Sequence, residues 1–230
     1  MNILAIDTSS DLEFITLRTG KGLSSRCEHV THSHSVTLIR SMDTLLSEQG
    51  ITINDIDIFC AGTGPGSFTG IRITVSTMRM LSQITGKPLV GIPTPLLYAV
   101  SLARFGKTGD HIMVALDARR ERIFGAIYRI AGPGQEPVEI VPPGDHPIDE
   151  LLDNADYTAI IAAGSGIDRF REKIMRPGRN VLVPDQWFDG ARVCDLAERR
   201  WRENPQIYSD PFRTVPLYLR KSDAETARGK

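Results

Sequence analysis

The chain has 230 residues, with 27 basic and 28 acidic side chains and a formal net charge of −1, which excludes the basic excess of a protein that holds RNA alone through its phosphates. That length builds one large domain or two small ones around a sizeable core. Cys27, Cys60 and Cys194 have no metal or redox spacing and fit reduced thiols; no apolar stretch spans a membrane, and the first apolar run stops at Asp7 without a basic leader, so no secretory signal is expected.

Met1 to Ile6 reads as a strand ending in Asp7-Thr8-Ser9-Ser10, and the alternation from Phe14 to Leu17 makes the second arm of a hairpin. His34 to Gln49 reads as a helix with Leu38, Ile39, Met42, Leu45 and Leu46 on one face and small Thr37, Ser41, Thr44 and Ser47 on the other. A strand from Ile56 to Ala61 then enters Gly64-Pro65-Gly66-Ser67-Phe68-Thr69-Gly70-Ile71-Arg72. Glycines at such a strand-to-helix turn allow close backbone approach, while Ser67 or Thr69 caps the helix. The spacing is neither a dinucleotide fingerprint nor a Walker A loop, so it suits either an anion or a helix packed tightly with no ligand. The helix from Ser67 to Thr85 carries two apolar stripes, one of Ile71, Val75 and Met78 and one of Ile73, Met80, Leu81 and Ile84. Two stripes ask for burial on two sides, in the chain's own core or against a second protein.

Lys87 to Ile92 is a further strand, Pro93 and Pro95 break the chain, and an apolar helix runs from Leu96 to Ala103. Phe105 to Asp110 reads as a boundary between lobes 1–104 and 105–230. Across it the opening phrase returns: shifted by about 110 positions, Leu4-Ala5-Ile6-Asp7 falls on Val114-Ala115-Leu116-Asp117 and Phe14 on Phe124, which suggests a duplicated lobe. The second lobe continues with an exposed loop from Gly132 to Gly144, a helix from Ile148 to Asn154, and a strand from Thr158 to Ala163. Gly164-Ser165-Gly166 turns that strand into a helix from Ile167 to Met175; a charged helix from Ala191 to Glu203 and a tail with Pro216-Leu217-Tyr218-Leu219-Arg220 follow. Two such lobes make an α/β fold with mixed sheets and a cleft between them as the default ligand site.

Three chemistries are open on residue types alone. His29, His32 and His34 offer imidazoles to a zinc ion, or simply form a polar loop, since no Cys or carboxylate completes a shell. Asp7 and Asp117 each end a strand before a hairpin turn and read as capped turns, with Arg119 beside the second able to pair with phosphate; that the two turns share one phosphate is what the resemblance given below implies. Glu198-Arg199-Arg200-Trp201-Arg202 either grips RNA by charge and stacking or forms a solvated helix face. No Ser or Cys acquires a base and an orienting acid, so no hydrolase triad is assigned.

Taken together, Ile6-Asp7-Thr8-Ser9, His34-Ser35, Gly64 to Arg72, Gly91-Ile92 before Thr94, Asp117-Ala118-Arg119-Arg120 with Tyr128, and Pro216 to Arg220 near Ala224-Glu225 resemble the TsaB (YeaZ) family of bacterial tRNA-modification proteins nearly end to end. It departs from the family pattern at Arg40, at Pro93, and at Thr74, Ser76, Thr77 and Met78. The resemblance implies a two-lobed actin-like fold of the ASKHA, ribonuclease H-like type. It implies a non-catalytic subunit that pairs with the catalytic paralogue TsaD and with the ATPase TsaE, in a cytoplasmic complex that places threonylcarbamoyl on tRNA adenosine beside the anticodon. It further implies no cofactor of its own, with ATP or ADP at the joint interface, tRNA met only through the complex, and a homodimer when alone. Carried onto this chain, the docking surface comprises Leu38, Ile39, Met42, Leu45, Leu46, Arg72, Ile73, Met80 and Leu81. Thr94 and Tyr98 fall where the paralogue has metal-binding histidines, and neither is a competent metal ligand. The rival readings are a stand-alone kinase or ATPase working between Asp7 and Asp117, and a glycoprotease-like metallopeptidase.

Overall fold

A computed structural model describes residues 1–29, 34–153 and 159–220, with residues 34–37 as backbone alone. The first half runs β1 (Ile3–Asp7), β2 (Leu12–Thr19), β3 (Gly22–His29), α1 (His34–Gln49), β4 (Ile58–Gly62), α2 (Phe68–Thr85), β5 (Leu89–Ile92) and α3 (Thr94–Leu102). The second runs β6 (His111–Asp117), β7 (Arg122–Arg129), β8 (Val138–Pro147), α4 (Ile148–Asp153), β9 (Ala159–Ala163), α5 (Ser165–Arg169), α6 (Arg171–Ile174) and β10 (Asn180–Leu182), before α7 (Gly190–Glu203) and α8 (Pro205–Tyr208). Each half builds a five-stranded mixed sheet, ordered β3-β2-β1-β4-β5 and β10-β9-β6-β7-β8.

The period-2 pattern of β1 divides its side chains between two cores. Leu4 and Ile6 join Leu38, Met42, Leu45, Leu46, Met78 and Leu81 under α1 and α2, whereas Ile3 and Ala5 face the opposite way. That inner face shares one continuous apolar cluster with Ile112, Val114 and Leu116 of the second sheet, through the fully buried α3 and through Val193, Cys194, Leu196 and Ala197 of α7. The layers are therefore α1 and α2, first sheet, α7 and α3, second sheet, and α4 to α6. A packed pair of helices thus fills the space where the sequence suggests a cleft. The charged helix α7, read as part of the second lobe, lies on the first sheet.

Three strands escape the sequence patterns. β3 is exposed along most of its length, β8 carries Pro142 and Pro143 at a sheet edge, and β10 has three residues. The helix expected from Ile167 to Met175 breaks at Phe170 into α5 and α6. Thr158, Asn154, His32 and the Ala224-Glu225 pair lie outside the described residues.

Candidate functional site

The glycine turn before α2 closes directly onto the turn after β1. A Cβ at Gly66 would overlap the Ser9 carbonyl oxygen, one at Gly70 the Thr8 carbonyl oxygen, and one at Gly62 the Asp7 carboxylate. The Ser67 N–H donates to the Ser9 carbonyl at 2.6 Å, and the Ser67 hydroxyl caps α2 by accepting from the Gly70 N–H at 3.3 Å. The glycines therefore bring backbone against backbone, and the packed reading of this turn holds over the anion reading.

Beneath it lies a closed polar network. Asp7 is 1% exposed; its carboxylate accepts the Ser9 N–H at 2.6 Å and the Thr94 hydroxyl at 2.5 Å. The Thr94 oxygen also accepts from the Gly64 N–H at 3.1 Å and pairs with the Ser9 hydroxyl at 2.7 Å. Its single proton is committed to Asp7, so Ser9 is the donor in that pair and every valence of Thr94 is used. One turn along α3, the Tyr98 hydroxyl meets Ser10 at 2.8 Å and its ring stacks on Trp187 with centroids 4.3 Å apart. Burial raises the Asp7 carboxyl above its ordinary value, against the hydrogen bonds of Ser9 and Thr94 that lower it. With its carboxylate buried and held by Ser9 and Thr94, Asp7 fits the capped turn better than a phosphate contact.

Asp117 has a different setting. β1 presents Ile3, Ala5 and Asp7 to the inner face, but β6 presents Ile112, Val114 and Leu116 there, so Asp117 follows Met113 and Ala115 to the outer face. The duplicated phrase is one residue out of step with the duplicated fold. Asp7 pairs with Phe14 across its hairpin, whereas Asp117 pairs with Ile123. The two carboxylates consequently face different layers, and the shared site drawn from them is corrected. Asp117 accepts from Arg169 of α5 at 2.7 and 3.0 Å and from the Arg119 N–H at 2.8 Å. Its neighbours Arg119, Arg120 and Glu121 have φ of 60°, 50° and 58°, a left-handed run usually left to Gly or Asn, at about 1–2 kcal/mol per residue. Arg119 and Arg120 are exposed on this turn.

Of the docking residues carried onto α1 and α2, five belong to the interior. Leu38, Met42, Leu45, Leu46 and Leu81 are buried in the first lobe's own core, because they form the stripe that covers β1 and β2. Ile39 and Met80 are each 48% exposed, Ile84 is 71% exposed, and Ile73 is half-buried. The two stripes of α2 thus part company: Ile71, Val75 and Met78 are core and Ile73 packs against it from the side, while Met80 and Ile84 look outward beside the exposed Ser76. Arg72 lies over the Phe68 ring at 3.8 Å and donates to the Tyr218 hydroxyl at 3.1 Å.

The remaining candidates resolve locally. Trp201 packs against the shared core, Arg200 pairs with Glu136, and Arg202 pairs with Glu198, which also holds Arg18, so two of the three arginines of the α7 run hold carboxylates of this chain. Among the described residues, no group of three or more His, Cys, Asp and Glu could hold a metal; of the histidine cluster, His29 pairs with Asp11 at 3.2 Å, while His32 and the His34 side chain lie outside the described residues. Burial pushes the Cys194 thiol up to about 12, away from nucleophilic use. No helix among the described residues is long and apolar enough to cross a membrane. A groove of about 290 Å³ opens at the carboxyl ends of β4 and β5, between Thr63, Pro93, Tyr208 and the tail from Arg213 to Leu217. No sequence signal marked it, since its walls come from distant segments.

Comparison with known proteins adds an independent line. Residues 26–139 match the family model of TsaD, tRNA N6-adenosine threonylcarbamoyltransferase. The chain is 28% identical over 130 residues to the tRNA threonylcarbamoyladenosine biosynthesis protein TsaB of Escherichia coli K12, covering 56% of this chain and 55% of that protein. It is 31% identical over 126 residues to the TsaB of Buchnera aphidicola, covering 55% and 60%. The match thus spans little more than half the length of these curated relatives. An uncharacterized protein of Mycobacterium tuberculosis H37Rv matches end to end, 27% identical over 97% of this chain and 93% of its own. Among solved structures, YeaZ from Pseudomonas aeruginosa superposes with a TM-score of 0.80 at 23% identity, over 95% of this chain and 99% of that one, which establishes the shared fold.

Proposed function

Because the chain is a TsaB/YeaZ-family protein in a two-lobed actin-like fold, we infer that it serves as a non-catalytic subunit of the machinery that makes threonylcarbamoyladenosine in tRNA. It docks on the catalytic paralogue TsaD through the outer face of α2, with TsaE joining the assembly and a homodimer forming when the partner is absent. The observation that carries this reading is the exposed pair Met80 and Ile84 on α2, with Ile39 of α1 exposed as well. Apolar residues exposed on a helix whose opposite face already fills its own core are unneeded for folding, and Ser76 beside them admits a second helix closely. The committed hydrogen bonds of Thr94 and Tyr98 support a subunit without its own metal chemistry. Any ATP or ADP then belongs to the joint interface, tRNA is engaged within the complex, and the cytoplasm is the place of work. A stand-alone kinase or ATPase would need the Asp7 carboxylate, which is sealed.

Light scattering of the chain alone and mixed with its cognate TsaD tests the reading. Met80→Glu and Ile84→Glu abolish association while circular dichroism and thermal unfolding stay as in the wild type. Normal association by both variants would place the docking surface elsewhere, and ATP turnover by the isolated chain would overturn the non-catalytic role.

A further inference from the structure

The two sheets present four edges, and three of them are closed to further pairing. β10 has three residues, and β8 carries Pro142, Pro143 and register shifts against β7. β5 is covered by the tail beyond α8, a strap in which the Thr214 hydroxyl donates to the Leu89 carbonyl at 3.3 Å and the Leu217 N–H donates to Thr63 at 2.8 Å. The strap then crosses to the second lobe, where Arg220 donates to the Ala118 carbonyl at 2.7 Å.

The fourth edge, β3, is left open. Its residues from Gly22 to His29 pair with β2 in one unbroken register, contain no proline, and are exposed except at Ser24 and Arg26. Among the described residues no further backbone-to-backbone bond reaches the strand, so its outer row of N–H and C=O groups is a template for another strand.

Charge selects which strand fits. Arg26 lies opposite Ile15, a residue of the core under α1, so Arg26 and Glu28 share the α1 side of the sheet, where Arg26 also meets Glu48 at 3.1 Å. When two copies of β3 run antiparallel about a two-fold axis normal to the sheet, every side chain keeps its side, and the axis falls on one residue. An axis at Arg26 sets that arginine against itself, and an axis at Ser25 sets Arg26 against Ser24 and Glu28 against Gly22. An axis at Cys27 sets Arg26 of each copy opposite Glu28 of the other, which makes two opposite-charge cross-strand pairs.

We propose that β3 is a self-pairing edge: a second copy of the chain adds its own β3 antiparallel, with the two-fold axis at Cys27 and an Arg26–Glu28 pair on either side of it. The pairing joins two five-stranded sheets into one. A second copy is favoured over an unlike strand because the charges of this edge complement themselves. The inference goes beyond the docking reading and does not depend on it, since no residue of β3 belongs to the α2 face assigned to TsaD; a paired chain keeps that face free.

Light scattering of the full chain over a dilution series tests the pairing. Arg26→Glu sets two glutamates against each other across the axis, and Glu28→Arg sets two arginines, so each variant alone is expected to self-associate about tenfold or more weakly while keeping the wild-type circular dichroism. Mixed one to one, the two variants meet with opposite charges at both positions and recover the dimer. Met80→Glu, the variant that breaks association with TsaD, leaves the dimer intact, which separates the two interfaces. A wild type that stays monomeric, single variants that dimerise as the wild type does, a mixture that fails to recover the dimer, or loss of the dimer in Met80→Glu would each overturn the proposal.

Discussion

The turns after β1 and β6 are written in similar letters, Ile6-Asp7-Thr8-Ser9 and Leu116-Asp117-Ala118-Arg119, and the fold treats them in opposite ways. The first is sealed by three glycines, at the end of β4, in the loop and in the first turn of α2, and its aspartate is held by Thr94 and Ser9. The second stands at the surface with its aspartate gripped by Arg169 and two arginines displayed on a left-handed backbone. A strand's side chains alternate, so a single residue of slip between phrase and fold sends one aspartate to the inner face and the other to the outer. A repeated motif in a duplicated fold therefore conveys that a strand ends there, and leaves open what its last residue touches.

The sharpest way to break the comparison is at the first turn. Gly70→Ala sets a methyl against the Thr8 carbonyl, backbone that cannot swing aside. A loss of at least ~3 kcal/mol is expected in urea unfolding; a variant within error of wild type would show that the turn is loosely packed. Next comes the pair Asp7→Asn and Asp117→Asn. The first disturbs a buried network and costs about 2 kcal/mol, whereas the second touches a partly exposed ion pair and changes stability far less. The first also carries a pH dependence. Burial raises the Asp7 carboxyl above 3.8, so the native state keeps this proton at a pH where the unfolded chain has released it. Wild type therefore gains stability over Asp7→Asn as the pH falls through the raised value, and the gain levels off near ~4, where the unfolded carboxyl protonates too. A constant difference between pH 7 and 4 would contradict the buried placement. The smallest effect belongs to the second turn: Arg119→Gly relieves a left-handed side-chain conformation against a larger unfolded-state entropy, for a net gain of ~0.5–1 kcal/mol in the same unfolding experiment. A loss there would mean that the arginine side chain holds the turn.

Periodicity made much of the scaffold legible. The 3.6-residue spacing of Leu38, Met42 and Leu45 gave α1, and the strand, glycine and serine-cap succession gave β4 and α2. Strands with an apolar rhythm were readable, whereas β3 and β8 gain their pairing from neighbours rather than from their own residues. The site was less legible for a similar reason. The apolar face of α1 looked like a docking surface in sequence, because amphipathicity marks a face for burial without saying whether a sheet of the same chain or a partner buries it. Thr94 and Tyr98 were identified as positions, but their bonds to Asp7 and Ser10 join segments more than 80 residues apart. The strap could not be foreseen, since Arg220 and Ala118 are brought together only by the finished fold.

The placement of α7 has a consequence for how the protein is made. The first sheet is complete at Ile92, yet the helix that covers Ile3, Ala5 and Phe14 begins at Gly190. A ribosome adding about 5–20 residues per second leaves that face uncovered for roughly 5–20 s. Throughout that interval the nascent chain displays a finished β-sheet with one oily side open to water, the kind of surface that chaperones hold, and translation stalled anywhere in the second half leaves it so.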